Sequence, residues 1–462
     1  MRVLLVVYDN ESYIHDFPMG LAYIASVLRK EGIEVEIYSQ DFNHYPDEHL
    51  TEYLNKNKFD VVGVSIIGGY FQYRKLLSLS TAINNSKNRP FYVIGGHGPA
   101  PEPEYFIKKT GADAVVIGEG EITILNLMDS LSKHKSLSKV KGIAYRDGNK
   151  VVINERQPLI EDVDSIARPA YELFPMEYYR LLRMPHCETT DFVMRLLSGR
   201  GCPFNCNFCY RMDEGFRPRK NEAIIEEIKL LQKDYGITYI AFGDELLMSS
   251  IARTEELCRD FIRANLKIKW SCNGRLNYAR EDVLRLMKES GCVFINYGIE
   301  AMDDQILKNM NKTLTTKQII SGIEATLKIG ISPGYNIIFG NIGETRETLE
   351  KGVEFLLKYD DGAQVRTIRP VTPYPGSPLY YYAIKKGLLK DCEDFYENKH
   401  VNSDLLSVNF TNMSDDEFHR CLLQANTRLL RNYFQKKIKS MFNQTKDLYL
   451  HKNRDFRGFR QT

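Results

Sequence analysis

The sequence has no apolar run long enough to cross a bilayer. Its longest, such as VVGVSII (61–67), fall far short of the roughly 20 residues a spanning helix needs. An excess of one charge is also missing: 62 Lys/Arg against 60 Asp/Glu leave a net charge of +2, which gives no general attraction to nucleic acid. No repeat of fixed period and no low-complexity tract is present. The first residues, MRVLLVVYDNE, lack the basic flank, length and small-residue cleavage site of a signal peptide and read as a β-strand. No G-x-G-x-x-G follows that strand, so the dinucleotide fingerprint is absent. The expectation is a cytoplasmic protein with no membrane span and no nucleic-acid partner. Its 462 residues, 43% hydrophobic and 26% charged, suit two or three well-cored domains.

Cysteine is sparse and uneven. Six of the nine cysteines (187, 258, 272, 292, 392, 421) stand singly and read as small buried hydrophobes of a reducing compartment. The other three crowd SGRGCPFNCNFCYR (198–211) as Cys202, Cys206 and Cys209, spaced C-x3-C-x2-C. Zinc sites close with four ligands in paired arrangements, and electron-carrying clusters take four thiolates. Here no second cysteine pair follows, and no histidine lies between residues 187 and 399. Three soft, anionic thiolates on a 4Fe–4S cluster leave one iron without a protein ligand, and an open position is what a catalytic metal centre needs. Two readings follow: a catalytic cluster, or an iron–sulfur electron carrier or redox sensor. Pro203, Asn205 and Asn207 read as turn-formers.

The expected fold class is α/β. Residues 1–142 alternate apolar strands (VLLVVY, VEIYS, DVVGVSII, FYVIGG, DAVVIGEG) with helical patterns, the signature of a doubly wound, Rossmann-like parallel sheet. Glycines fall after the strand ends, where such a sheet binds ligands: Gly68-Gly69, Gly95-Gly96 and Gly118-Glu119-Gly120. Residues 143–190 form a connector, with a hairpin turning at Asp147-Gly148 and a proline- and aromatic-rich stretch. Residues 191–390 hold six further β/α repeats, the last strand within VRTIRPVTPYPG (365–376), which suggests a complete or partial (β/α)6 TIM-type barrel with its site at the carboxyl face. Residues 391–462 turn helical and polar. From 431 onward nine Lys/Arg stand against two Asp/Glu, a basic tail read as solvated or as a docking surface.

The cysteine loop after a first barrel strand resembles that of the radical S-adenosylmethionine (SAM) superfamily, in which an aromatic such as Phe208 packs near SAM. Gly243-Asp244-Glu245 looks like the family's Gly-Gly-Glu, with Asp at the middle position. Asn273, Arg275 and Glu300 stand where the family contacts SAM, Ile338 and Gly340 lie in a stretch like its adenine-binding segment, and PYPGSPLY (373–380) resembles the close of its sixth strand. The N-terminal domain resembles that of the cobalamin-binding subgroup, so the likeness covers roughly residues 1–390. It implies a cobalamin site at Ser65, Gly68, Gly69, Gly95, Gly96, His97, Gly118, Glu119 and Gly120. The D-x-H-x-x-G motif that supplies a cobalt ligand is absent, HDFPMG (15–20) being a superficial echo, so the implied cobalamin is base-off without a histidine ligand. The resemblance implies methylation of an unactivated carbon through a 5′-deoxyadenosyl radical and methylcobalamin. Its alternative is cyclisation, rearrangement or oxidation without methyl transfer. It also implies an external electron donor such as flavodoxin or ferredoxin. No motif names the substrate, small molecule or peptide.

Overall fold

In the computed structural model the described residues are 1–9, 11 and 16–452. The first residue of HDFPMG and the last part of the basic tail, from 453, lie outside them. The N-terminal strands are β1 (Arg2–Val7), β2 (Glu34–Ser39), β3 (Val61–Ser65), β4 (Phe91–Gly95) and β5 (Ala114–Val116), all parallel. Four of them are short apolar runs largely buried on both faces, as a sheet between two helical layers requires, while the edge strand β2 (EVEIYS) is partly exposed. The hairpin β6 (Ile143–Asp147) and β7 (Lys150–Ile153) pairs antiparallel onto β5, giving the order β2-β1-β3-β4-β5-β6-β7. The sheet therefore runs to Ile153, beyond the expected boundary at 142, because β6 satisfies the free edge of β5. Strand order reverses between β1 and β3, which opens a crevice at the carboxyl ends.

The second sheet contains β8 (Val193–Leu196), β11 (Tyr239–Phe242), β12 (Lys269–Gly274), β13 (Cys292–Glu300), β14 (Ser332–Phe339) and β15 (Arg369–Pro370). A small ribbon, β9 (Gly199–Arg200) and β10 (Arg217–Pro218), is inserted after β8. The large strands are all parallel in the order β15-β14-β13-β12-β11-β8, and β15 does not pair with β8, so the barrel is partial. The strand expected within 365–376 is two residues long. Pro370, Pro373 and Pro375 lack the N–H groups that a longer ladder needs.

Two cores hold the domains together. One joins the barrel helices to the sheet face beneath the helices Met19–Lys30 and Gly120–Ser132. Within it Phe17 meets Tyr171, Phe174 and Tyr179 of the connector at 5.1–5.3 Å. The other fills the opposite sheet face with Tyr380, Phe395 and Tyr396 from beyond the barrel, Tyr396 stacking on Tyr73 at 4.4 Å. The last helix of the described residues is Asp415–Leu450, capped by Ser414. No helix of the described residues is long and apolar enough to cross a membrane.

Candidate active site

The cysteine loop is pinched at its neck by the β9–β10 ribbon. Gly201 sits there at φ +86°, and a Cβ would run into the carbonyl of Gly215, so only glycine fits. All three thiols are free: Cys206 is buried, Cys202 half-buried and Cys209 exposed. Among the described residues no three His, Cys, Asp or Glu side chains converge on a single ion. Three soft, anionic thiolates and no fourth protein ligand beside them in sequence fit a 4Fe–4S cluster with one iron left open.

The loop is held from outside. Asn207 and Asn341 exchange amide hydrogen bonds (3.1 and 2.9 Å), Asn207 N–H donates to Met310 O at 2.9 Å, and Leu379 N–H donates to Asn207 O at 2.8 Å. Asn207, expected to be a turn-former, is thus the hub that fastens the loop to β14 and to the helix Pro378–Lys385. Arg275 stacks on Phe204 at 3.5 Å and donates to the carbonyls of Lys312 and Thr313. Lys312, which sequence reasoning missed, is buried, bonds Glu300 at 2.9 Å and faces the Phe208 ring at 5.9 Å. Burial pushes the Cys206 thiol up, and the Lys312 cation opposes it. Glu300 sits at φ +68° after a bulge in β13, a strained position held by its ion pair. Arg275 and Glu300 thus spend their charges on the scaffold of the loop.

At the end of β11, Asp244 turns inward. Its Oδ1 accepts the N–H groups of Ser198 and Gly199 at 2.8 and 2.6 Å, and burial pushes its pKa up to about 7 against those bonds. Gly243 and Glu245 line the cavity between the two domains, and the surrounding protein raises the Glu245 carboxyl. Asn273 donates to Asp244 O at 2.8 Å and accepts from Asn296, which accepts from Asn336, a row of amides across the barrel interior. Ile338, the last residue but one of β14, is half-buried, and Gly340 packs against Phe418 at φ +101°. Glu344, pushed by burial to about 8, accepts from Gly340 and Asn341 N–H.

A cavity of about 440 Å³ opens between the carboxyl ends of the first sheet and this face of the barrel, within the usual size range of ligand pockets. Ser65, Gly95, Gly96, His97, Gly118, Glu119 and Gly120 line it from one side, and Gly201, Gly243 and Glu245 from the other. It reaches down the sheet face along Leu5 and Gly63. Gly96 sits at φ +95°, where a Cβ would run into Ile66 O, so the backbone itself forms the wall. Surrounding protein lowers the pKa of His97, whose ring lies 6.1 Å from that of Tyr210. An apolar slot with a glycine rim suits the nucleotide tail of a large cofactor, and about 440 Å³ is too small to enclose the whole of one.

Gly68 and Gly69 do not join the set. The chain turns outward after Ile67, placing Gly68 against Tyr374 and Tyr396, with Gly69 capping the helix Tyr70–Asn84. Glu119 lines the cavity, but its oxygens are taken: Arg200 and Arg217 bond it at 2.8 and 2.9 Å, and Ile160 N–H at 2.8 Å. Arg200 also holds Glu121 and Arg217 holds Asp213, so a buried ionic network rivets the two domains beside the cavity.

A doubly wound domain and an open barrel sharing one cavity, with both ends of a three-thiol loop at its barrel side, have the form of a metalloenzyme that works with a second, bulky cofactor. The radical SAM superfamily model matches residues 196–356, and the B12-binding domain model residues 7–128. An uncharacterized methyltransferase of Pyrococcus horikoshii is 33% identical over 84% of each chain. The anaerobic magnesium-protoporphyrin IX monomethyl ester cyclase of Rubrivivax gelatinosus is 28% identical over 79% of this chain and 65% of its own. The radical SAM methyltransferase TsrM of Kitasatospora setae, solved with cobalamin and a 4Fe–4S cluster, shares the fold at 20% identity. Its TM-score is 0.69, over 83% of this chain and 75% of that one. The chain belongs to the radical SAM superfamily, among the members with an N-terminal B12-binding domain. It is an enzyme of that family, whose cofactors are a 4Fe–4S cluster, SAM and cobalamin, and which needs an external reductant.

Proposed function

We propose that this enzyme is a cobalamin-dependent C-methyltransferase acting on an unactivated carbon of a small molecule or peptide. The shared cavity carries the reading, because it joins the glycine cradle of one domain to the thiol loop of the other. Cys202, Cys206 and Cys209 would hold the cluster. Gly243 and Glu245, with Phe208 and Asn273, would hold SAM. Ser65, Gly96, His97 and Gly118 would border base-off cobalamin. When bound, these groups supply one-electron cleavage of SAM and a transferable methyl group.

The protein's own part is placement and exclusion of water. The amide pair Asn207–Asn341 and the Asp244 carboxylate fix the thiol loop, the Glu119 network fixes the spacing of the domains, and the apolar wall keeps the cavity dry. Flavodoxin or ferredoxin in the cytoplasm would supply the electron.

The test is anaerobic reconstitution with iron, sulfide and hydroxocobalamin, followed by turnover with SAM and candidate substrates. A product heavier by one methylene, with S-adenosylhomocysteine released, supports the reading. The cyclase relative favours a second one, radical cyclisation without methyl transfer. Deoxyadenosine formed without S-adenosylhomocysteine would select that instead.

A further inference from the structure

Among the described residues, the helix Asp415–Leu450 is covered only along its first part. Phe418, Cys421, Leu422, Ala425 and Leu429 are buried, and Phe418 stacks on Phe339 at 4.9 Å. At about 100° per residue these five share one arc of the helix. Asn432 and Lys436 lie on the same arc and bond the Asp360 carboxylate at 2.7 and 3.0 Å. The body of the protein therefore stays on that side as far as Lys436.

The opposite arc carries a second apolar stripe, exposed among the described residues, in which Phe434 meets the neighbouring Tyr433 ring at 5.3 Å. Phe434, Ile438, Met441, Phe442 and Tyr449 are 53%, 51%, 53%, 69% and 72% exposed. Leu423, 68% exposed, lies on the same arc of the covered part, separated from the stripe by Thr427 and Arg431. This is the reverse of the packing face, not its continuation. Lys437 lies on one edge of the stripe, Lys439 and Lys446 on the other, all exposed. The only acid in residues 431–450 is Asp447, which pairs with His451 at 3.0 Å.

We propose that this face rests on an anionic membrane surface, its large side chains at the acyl boundary and its lysines among the headgroups. An apolar stripe edged by cations on both sides is the form of an interfacial helix, because lysine stems cover apolar surface while their ammonium groups reach outward. Pairing with the same helix of a second copy would set lysine against lysine, so charge favours an acidic surface over self-association.

Co-sedimentation of the full chain with vesicles of phosphatidylcholine, or of an equal mixture with phosphatidylglycerol, tests this. Binding is expected to the mixed vesicles and should weaken with salt. Each lysine near an anionic surface is worth about fivefold in affinity, so the combined variant Lys437→Glu, Lys439→Glu, Lys446→Glu should bind at least about a hundredfold more weakly. Phe434→Ser, Phe442→Ser and Tyr449→Ser together should abolish binding. Both variants should keep the parent's melting temperature, since only exposed side chains change. No binding of the parent to the mixed vesicles overturns the proposal, as does binding unchanged in the serine variant. A dimer in sedimentation velocity that the serine variant dissolves also overturns it, and assigns the stripe to a second copy.

Discussion

Asp244 accepts the backbone N–H of Gly199 at 2.6 Å, tying the end of β11 to the entrance of the cysteine loop. Glycine at this position would lack that tie. Burial raises the Asp244 carboxyl from 3.8 to about 7, so folding takes up a proton there. Its contribution to stability is present below the unfolded value and is lost as pH rises through about 7. Asp244→Asn keeps the accepting oxygen and removes the charge. Its melting temperature should exceed the parent's by a margin that widens from pH 4.5 to pH 8 and then levels. A constant margin across that range would show that Asp244 does not titrate there.

Glu119 makes the opposite prediction. Burial raises its carboxyl, but hydrogen bonds from Arg217, Ile160 N–H and Arg200 outweigh this and hold it below the usual range. That stability is present above the unfolded value near 4.5 and is lost as pH falls through the lower folded one. Glu119→Ala leaves two buried guanidiniums short of partners and should cost roughly 3–5 kcal/mol at pH 7. Chemical denaturation at pH 7 and pH 4 should show the deficit shrinking in acid.

Residues close together in sequence declared themselves before the fold was known. The Gly-Asp-Glu strand end and the glycines at 95–96 and 118–120 all line the cavity, and the cysteine loop reaches it through its two ends, residues 199–201 and 212–213. What stayed hidden was supplied from far along the chain. Lys312 meets Glu300 across a helix, Arg217 meets Glu119 across the domain boundary, and Asn207 meets Asn341 from another strand end. Gly68-Gly69 misled because a diglycine after a strand marks a turn without saying which way the chain turns. The aromatic residues that receive it, Tyr374 and Tyr396, lie some three hundred residues later.

The cradle can be separated from backbone strain by comparing two glycines. Gly96 and Gly148 both have positive φ, at +95° and +57°, so alanine at either costs about 1–2 kcal/mol. Only at Gly96 would the new Cβ run into Ile66 O and displace the cavity wall; at Gly148 it meets nothing within 4 Å. Gly96→Ala should lose bound cobalamin, read from its visible absorbance after gel filtration, while Gly148→Ala keeps it.

The division of the cysteines is tested by iron content. Cys209→Ala changes an exposed side chain and should strip the reconstituted chain of its iron–sulfur absorbance, as for any cluster that loses a thiolate. Cys187→Ala, outside the loop, should leave iron per chain at the parent's level. Equal loss in both would mean that reconstitution reports general thiol content and not this loop.

The amide pair gives the most discriminating test of how the loop is held. Asn207 coordinates nothing, yet it makes two amide bonds to Asn341, donates to Asn309 O at 3.1 Å, and receives the N–H of Leu379 on its own carbonyl. Asn207→Ala keeps the backbone bonds and all three thiols but frees the segment between Cys206 and Cys209. Asn341→Ala removes the same pair from the other side. If the pair sets the loop, the two variants should show the same several-fold faster loss of iron to a chelator, and the double variant should add little to either. Additive effects would mean that each asparagine acts through separate contacts, leaving the loop to be shaped by the cluster it binds.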